Sequence, residues 1–214
     1  MSDIIAYKKD GQLIDTQSIE KTDNAQPVYY DNSDDALEVI RHSSAHLMAQ
    51  AIKQLYPHAQ FFVGPVVEEG FYYDFRAGET ISDKDLKQIE KRMKKLLNKA
   101  YPIEKYTITK EEAIQKFAGD DLKQEVLKKI PGPEVSIYKQ CEFEDLCRGP
   151  NVPSINYCKH FKLTKIAGAY LGGDENSEML TRIYGIAFAD KESLDAHLKM
   201  VEEAKKRDHR KLGN

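Results

Sequence analysis

Early in the chain, apolar positions recur every three or four residues in a segment that ends at Pro57, which predicts an amphipathic helix. Asp34 or Asp35 is a suitable N-cap for this helix. The predicted core face consists of Leu37, Ile40, Ser44, Met48, Ala51 and Leu55. His42 and His46 lie on the opposite side, among small and apolar residues instead of a belt of charges. We therefore expect this helix to be covered on both sides, by the core and by the wall of a pocket.

The rest of the chain mixes strand patterns and helix patterns without a regular βαβ repeat. Strands are predicted at residues 4–8, 13–16, 28–30, 61–67, 70–75, 102–108, 135–139, 143–146, 161–167, 169–171 and 179–188. Further helices are predicted at residues 82–100, 110–117, 120–129 and 190–212. This order predicts an α+β fold, in which an antiparallel sheet packs against helices and a long helix ends the chain.

Composition narrows the class of protein. A length of 214 residues suffices for one large domain or two small ones, and 41% hydrophobic with 31% charged residues is typical of a soluble globular protein. There is no apolar run of about 18 residues and no secretory pattern at the start, so neither a membrane span nor secretion is predicted. Cys141, Cys147 and Cys158 lack the spacing of a disulfide framework, which favours the reducing cytoplasm.

The net charge of −3 is unevenly distributed. Residues 1–35 carry a net charge of −5, and the remainder of the chain carries +2. Residues 84–105 contain eight basic and three acidic side chains, whereas residues 199–211 contain six and three. Such basic stripes fit a phosphate backbone, but a solvated helix face explains the same charges without any partner.

Four polar residues are candidates for chemistry. His42 and His46 are four residues apart, so their imidazoles lie side by side on one helix face. Asp145 and Cys147 stand in a polar segment that leads into a Gly-Pro turn, which suits a site loop better than a core strand. Histidine titrates near neutral pH and can act there as acid or base. Buried histidines and inert buried cysteines are the structural alternative.

Several segments together resemble the N-terminal editing region of bacterial-type threonyl-tRNA synthetases. They are residues 40–46 (IRHSSAH), 64–74 (GPVVEEGFYYD), 145–150 (DLCRGP), 160–170 (HFKLTKIAGAY), 182–188 (RIYGIAF) and 202–213 (EEAKKRDHRKLG). The editing domains of alanyl-tRNA synthetases are similar, but the last segment resembles the linker helix of the threonyl type.

The resemblance implies hydrolysis of mischarged Ser-tRNA(Thr). Serine lacks one methyl group of threonine, and a missing methyl group supplies only about 1–3 kcal/mol of discrimination. A second site that admits serine and excludes threonine would restore accuracy. Its reaction is the attack of water on an aminoacyl ester at the 3′ acceptor end of the tRNA.

The resemblance also implies roles for individual residues. His42 is expected to activate or orient the water, and His46 to support it. Cys147 matches the pocket cysteine of the family. Lys123 matches a lysine that places the water or stabilises the oxyanion.

A further set of residues is expected to bind the substrate. Tyr73 matches a tyrosine that contacts the terminal adenosine, and Asp145 is expected to hold the α-ammonium group by charge pairing. Asn151 is assigned to the same set. No residue is identified as the steric wall that rejects the methyl group of threonine.

Asn151 departs from the family pattern, which ends in Cys-x-x-x-His. Asparagine forms hydrogen bonds, but it is not a base near neutral pH and is a poor zinc ligand. No cofactor is therefore expected to be required for editing. Zinc held by His42, His46 and Cys147, with water as the fourth ligand, stays open as an alternative.

Two other functions compete with editing. A module that only binds the tRNA acceptor end would explain Asn151 as a sign of lost catalysis, although the four polar residues named above argue against it. An unrelated zinc hydrolase is supported only by the types of ligand present.

The resemblance divides the chain into a short N-terminal extension (1–35) in place of a ubiquitin-like domain, an editing domain (36–189) and a linker helix (190–214). No aminoacylation core is recognisable, so ATP, magnesium and the zinc of that core are assigned to a domain outside this chain. The expected partners are tRNA(Thr) and the remainder of the synthetase, without a membrane. The full-length enzyme is expected to be a homodimer.

Overall fold

The computed structural model describes residues 2–18 and 24–213 and confirms an α+β fold with antiparallel sheets. The strands are Ile4–Lys9 (β1), Gln12–Ile14 (β2), Gln26–Tyr29 (β3), Gln60–Phe61 (β4), Val66–Val67 (β5), Gly70–Arg76 (β6), Glu104–Thr109 (β7), Glu134–Gln140 (β8), Phe143–Leu146 (β9), His160–Tyr170 (β10) and Met179–Phe188 (β11). The helices are Asp34–Leu55 (α1), Asp83–Leu97 (α2), Lys110–Lys116 (α3), Asp121–Lys129 (α4) and Lys191–Leu212 (α5).

The N-terminal strands form a sheet in the order β2–β1–β3. Ile5, Ala6 and Val28 are buried in the same hydrophobic cluster as residues of α1. Three strands this short cannot enclose a core of their own. The N-terminal sheet is therefore stabilised by packing against the main body of the protein.

Helix α1 begins one residue later than its cap, Ser33, whose hydroxyl accepts a hydrogen bond from the backbone N–H of Ala36 at 3.4 Å. The prediction that Asp34 or Asp35 is the cap is therefore wrong. Both aspartates lie in the first helical turn instead, where the helix dipole favours negative charge.

Both sides of α1 are buried, as its sequence predicts. The buried positions are Ala36, Leu37, Val39, Ile40, Ser43, Ser44, Ala45, His46, Leu47, Met48, Ala49, Gln50, Ala51 and Ile52. Buried polar groups need partners inside the protein, because leaving them unpaired costs free energy. Ser43, His46 and Gln50 are consequently tied to the elements that cover the helix, whereas the hydroxyl of Ser44 donates to the backbone carbonyl of Ile40 in the helix itself.

The largest sheet has the order β10–β11–β6–β4, with β5 paired to β6. The continuous strand predicted over residues 61–67 is wrong, because Gly64 and Pro65 separate two short strands. Pro65 lacks the N–H group that a strand ladder uses, and any side chain at Gly64 would collide with the ring of Tyr73. The break predicted near Gly168 does not occur, since β10 continues through it.

The third sheet has the order β7–β8–β9, and helices α3 and α4 cover it. The predicted pairing of β8 with β9 is confirmed, and its register places Tyr138 opposite Asp145. Ala113 of α3 and Leu127 of α4 pack with Ile137 in a second hydrophobic cluster. Through this packing, α4 is fixed beside the strand that carries Asp145.

Helix α5 is capped by Asp190, whose side chain accepts a hydrogen bond from the backbone N–H of Ser193 at 2.7 Å. Among the described residues of α5, only Leu194 is buried, and it lies near the start of the helix. The second half of the helix is largely exposed. Among the described residues, no helix has both the length and the apolar character needed to cross a membrane.

We expect Gly70→Ala to lower the free energy of unfolding by about 1–3 kcal/mol, because the new methyl group would overlap the backbone carbonyl of Gly185 in β11. Urea denaturation measures this loss. Gly168→Ala is the matched control in the same sheet, since its methyl group meets only the exposed side chain of Met179. The control should lose about 0.5 kcal/mol or less. Equal losses in the two variants would contradict the steric explanation.

Candidate active site

The two histidines of α1 lie side by side, as their spacing predicts. The Nε2 atoms of His42 and His46 are 3.3 Å apart, and their ring centroids are 5.1 Å apart. His46 is 6% exposed, whereas His42 is half-buried. The pair thus presents one accessible imidazole with a buried one behind it.

Cys147 follows β9 and begins the site loop, which we define as residues 147–151. Its Sγ atom is 2.6 Å from Nε2 of His42. The backbone N–H of Gly149 and the side-chain amide of Asn151 also point to this sulfur, at 3.2 and 3.5 Å. The contact between His42 and Cys147 joins two candidate groups that are 105 positions apart in the sequence.

Asp145 lies at the centre of the buried part of the site and is 1% exposed. Its carboxylate forms an ion pair with Lys123 of α4 and accepts a hydrogen bond from the hydroxyl of Tyr73 in β6. Nδ1 of His46 lies 3.4 Å from the same carboxylate. Three other residues that the sequence analysis assigned to the site therefore meet at Asp145.

Burial and charge shift the pKa values of these groups in different directions. Burial lowers the pKa of His42, and the nearby carboxylates only partly oppose this shift. Burial also acts to lower the pKa of His46, but Cys147 and the hydrogen bond to Asp145 outweigh it, so that its pKa is raised. Burial acts to raise the pKa of Asp145, whereas Lys123 and His46 hold it well below its usual range. Near neutral pH, His42 is therefore neutral and Asp145 is ionised.

Asn151 is 3% exposed and is held on two sides. The hydroxyl of Ser43 donates to its side-chain oxygen at 3.0 Å and accepts the backbone N–H of Val152 at 2.9 Å. The backbone N–H of Asn151 donates to the carboxylate of Asp15 at 2.8 Å. The sequence interpretation missed Ser43 and Asp15. Ser43 is adjacent to His42 in the matched motif, whereas no local pattern marks Asp15.

A cleft of about 600 Å³ opens beside the site loop. Cys147 and Arg148 line one part of it, and Phe62, Val63 and Lys129 line another. Pockets of about 300–1,000 Å³ hold ligands of small-molecule size. Cys147 lines the cleft and contacts His42, so the half-buried imidazole lies behind this sulfur, one side chain away from the cleft.

The sequence of this chain is similar to known proteins of one family. The family model named "threonyl and alanyl tRNA synthetase second additional domain" matches residues 135–184 of the sequence. Threonine–tRNA ligases from Sulfurovum sp. (strain NBC37-1) and Campylobacter lari are 68% and 66% identical over 211 and 212 residues. The chain is similar over its length to the N-terminal region of threonine–tRNA ligases. Each alignment covers 98–99% of this chain but only 35% of the relative, so the chain spans about a third of their length.

Within this threonine–tRNA ligase region, the residues present fit a metal ion with three protein ligands. The ligand atoms of His42, His46 and Cys147 all lie within 4.8 Å of one another. Tetrahedral zinc would hold an imidazole nitrogen and a thiolate about 3.5 Å apart, so His42 and Cys147 would have to separate from their 2.6 Å contact. Asn151 offers no fourth strong ligand. When bound, zinc would supply a water with a pKa of about 7.

We expect Lys123→Met to lower the free energy of unfolding by about 3–5 kcal/mol, because it leaves the buried carboxylate of Asp145 without its cationic partner. Urea denaturation measures the loss. The double variant Lys123→Met/Asp145→Asn should recover part of it, since the uncompensated charge is then removed.

Lys116→Met is the matched control for this prediction. It removes the ion pair of Lys116 with Glu144, the residue beside Asp145, at a position where both side chains are partly exposed to water. The expected loss is below about 1 kcal/mol. A double variant less stable than Lys123→Met would contradict the electrostatic explanation.

Proposed function

We propose that this chain hydrolyses the ester bond of Ser-tRNA(Thr), the mischarged product of a threonine–tRNA ligase. The observation that carries the proposal is the contact of His42, whose pKa is lowered by burial, with Cys147 at the edge of the cleft. A neutral imidazole beside a cleft is suited to accept a proton from water. The homology with threonine–tRNA ligases supports the substrate class.

The reaction proceeds by addition of water to the ester carbonyl. His42 accepts a proton from the water as its oxygen bonds to the carbonyl carbon. The resulting tetrahedral intermediate collapses, and the bond to the 3′ oxygen of the terminal adenosine breaks. That oxygen takes up the proton, so the products are serine and free tRNA. Cys147 fixes the imidazole of His42, and His46 lies directly behind it.

Asp145 and Lys123 provide the charges of the site. Both are nearly inaccessible, at 1% and 4% exposure, and they already form an ion pair. The α-ammonium group of the substrate can replace Lys123 as the partner of Asp145. The released amine of Lys123 would then be free to meet the negative charge that develops on the carbonyl oxygen.

Tyr73 and Asn151 complete the proposed substrate-binding set. Tyr73 is 2% exposed, and its hydroxyl donates a hydrogen bond to Asp145. Tyr73 therefore orients this carboxylate, and in the complex with substrate it would also contact the terminal adenosine. Asn151 directs its amide toward Cys147 and thereby places the sulfur at the cleft. Neither residue is required to exchange a proton in the reaction.

The proposed hydrolysis complements the activity of the complete threonine–tRNA ligases. A threonine–tRNA ligase joins threonine to tRNA(Thr) with ATP, and this chain would remove the product of its error with serine. The remainder of the synthetase in the cytoplasm is then its natural partner. The alternative is a module that binds the acceptor end without turnover, which the change of the family's histidine to Asn151 favours.

We expect His42→Ala to slow the loss of the seryl ester by about 100- to 10,000-fold, because the proton acceptor is removed. The chain in excess is incubated with Ser-tRNA(Thr) and, separately, with Thr-tRNA(Thr), and the remaining ester is measured over time. The wild-type chain should consume the seryl ester selectively.

His58→Ala is the matched control, since His58 is exposed after the end of α1, and its rate should equal that of the wild-type chain. Binding of both tRNAs by the wild-type chain without loss of ester would support the non-catalytic module. Full activity of His42→Ala would exclude His42 as the base.

We propose that hydrolysis requires no metal. Dialysis against a chelator is expected to leave the rate of ester loss unchanged, and metal analysis should find far less than one zinc ion per chain. Equimolar zinc together with loss of hydrolysis after chelation would overturn this part of the proposal. The His42, His46 and Cys147 ligand set would then be the site of that ion.

A further inference from the structure

Asp15 directly follows the strand β2 of the N-terminal sheet, and its side chain lies beneath the site loop. Its carboxylate is 5% exposed. One oxygen accepts the backbone N–H of Asn151 at 2.8 Å. The other accepts the hydroxyl of Tyr138 and lies 3.6 Å from the amine of Lys105. A single carboxylate thus joins the N-terminal sheet, the third sheet and the site loop.

Tyr138 supports the middle of the site loop. A side chain at position 149 would collide with the Tyr138 hydroxyl, so Gly149 packs directly on it, with a φ of 76° that suits glycine. The carboxylate of Asp15 fixes this hydroxyl by accepting a hydrogen bond from it. Asp15 therefore supports the loop at Gly149 through Tyr138 and at Asn151 directly.

The effect of Asp15 extends to the sulfur of Cys147 through two hydrogen bonds. The backbone of Asn151 is held by Asp15, and its side chain is held by Ser43 and points to Cys147. Ser43 is next to His42 on α1. The distance between the sulfur and the imidazole is thus set by a network whose far end lies in the N-terminal sheet.

The segment that carries Asp15 is itself anchored. The side-chain amide of Gln17 donates to the backbone carbonyl of Ile103 at 2.5 Å, and its oxygen accepts the backbone N–H of Lys105 at 3.3 Å.

Hydrogen bonds to an ionised group are worth about twice those between neutral groups. The buried carboxylate consequently gives the loop a stronger support than a neutral residue would.

We propose that Asp15 is a positioning residue that holds the site loop against α1, so that the N-terminal sheet is part of the hydrolytic machinery. Its catalytic consequence rests on the proposed function of the chain. Asp15 is 5% exposed, and its carboxylate is occupied by Asn151, Tyr138 and Lys105, so it acts on the site through these residues. Its loss should therefore lower kcat for the seryl ester and leave KM nearly unchanged.

The test compares Asp15→Ala, Asp15→Asn and the control Asp35→Asn in the complete chain. Asparagine keeps an oxygen for the N–H of Asn151 but loses the charge. Asp35 also links the N-terminal sheet to α1, through an ion pair with Lys8 at 3.1 Å, but it does not contact the loop. We expect kcat to fall at least tenfold in Asp15→Ala, to an intermediate degree in Asp15→Asn, and not at all in Asp35→Asn.

Amide hydrogen exchange provides a readout that is independent of hydrolysis. Exchange in a peptide covering residues 147–152 should accelerate at least tenfold in Asp15→Ala, while peptides from α1 keep their wild-type rates. Equal acceleration in α1 would show a general loss of stability and overturn the proposal. Normal exchange in the loop, or normal kcat despite faster exchange, would also overturn it. If the wild-type chain hydrolyses no ester, the proposed function fails, whereas exchange still decides whether Asp15 holds the loop.

Discussion

The site depends on one buried carboxylate. Asp145 accepts contacts from Lys123, Tyr73 and His46, which come from α4, β6 and α1. Taking an ionised carboxylate out of water costs several kcal/mol, and only close charged and hydrogen-bonding partners offset this cost. These three elements and β9, which carries Asp145, must therefore keep their mutual positions for Asp145 to stay ionised. The packing of α4 on the third sheet and of α1 on the largest sheet thus has a direct electrostatic purpose.

The two neighbouring histidines of α1 are unequal. Burial acts to lower the pKa of both, but at His46 the neighbouring Cys147 and the hydrogen bond to Asp145 outweigh it and raise the pKa, whereas at His42 burial prevails. Two identical side chains at i and i+4 therefore hold opposite protonation tendencies. In the proposed reaction, this difference would separate proton acceptance by the neutral imidazole of His42 from electrostatic support by the more basic one of His46.

Local sequence patterns explain the elements, and distant contacts explain the site. The period of α1 predicts its two buried sides, and the strand pattern of residues 135–146 predicts the pairing of β8 and β9. Lys123 was assigned only through family resemblance, because nothing in the pattern of α4 shows that its side chain is buried. Asp15 was not identified at all, since its partner Asn151 is 136 positions away. No periodicity or motif encodes a contact of this kind.

Asn151 contributes hydrogen bonds to the site, where a histidine would contribute a basic nitrogen. A histidine at this position would offer a ring nitrogen as ligand or base, whereas the amide offers a donor and an acceptor of fixed direction. Its oxygen is occupied by Ser43 and its backbone N–H by Asp15, so the side-chain N–H group remains for the sulfur of Cys147. The position therefore still orients the cysteine. Because the amide cannot accept a proton near neutral pH, the proposed reaction assigns that task to His42, whose imidazole contacts the sulfur that lines the cleft.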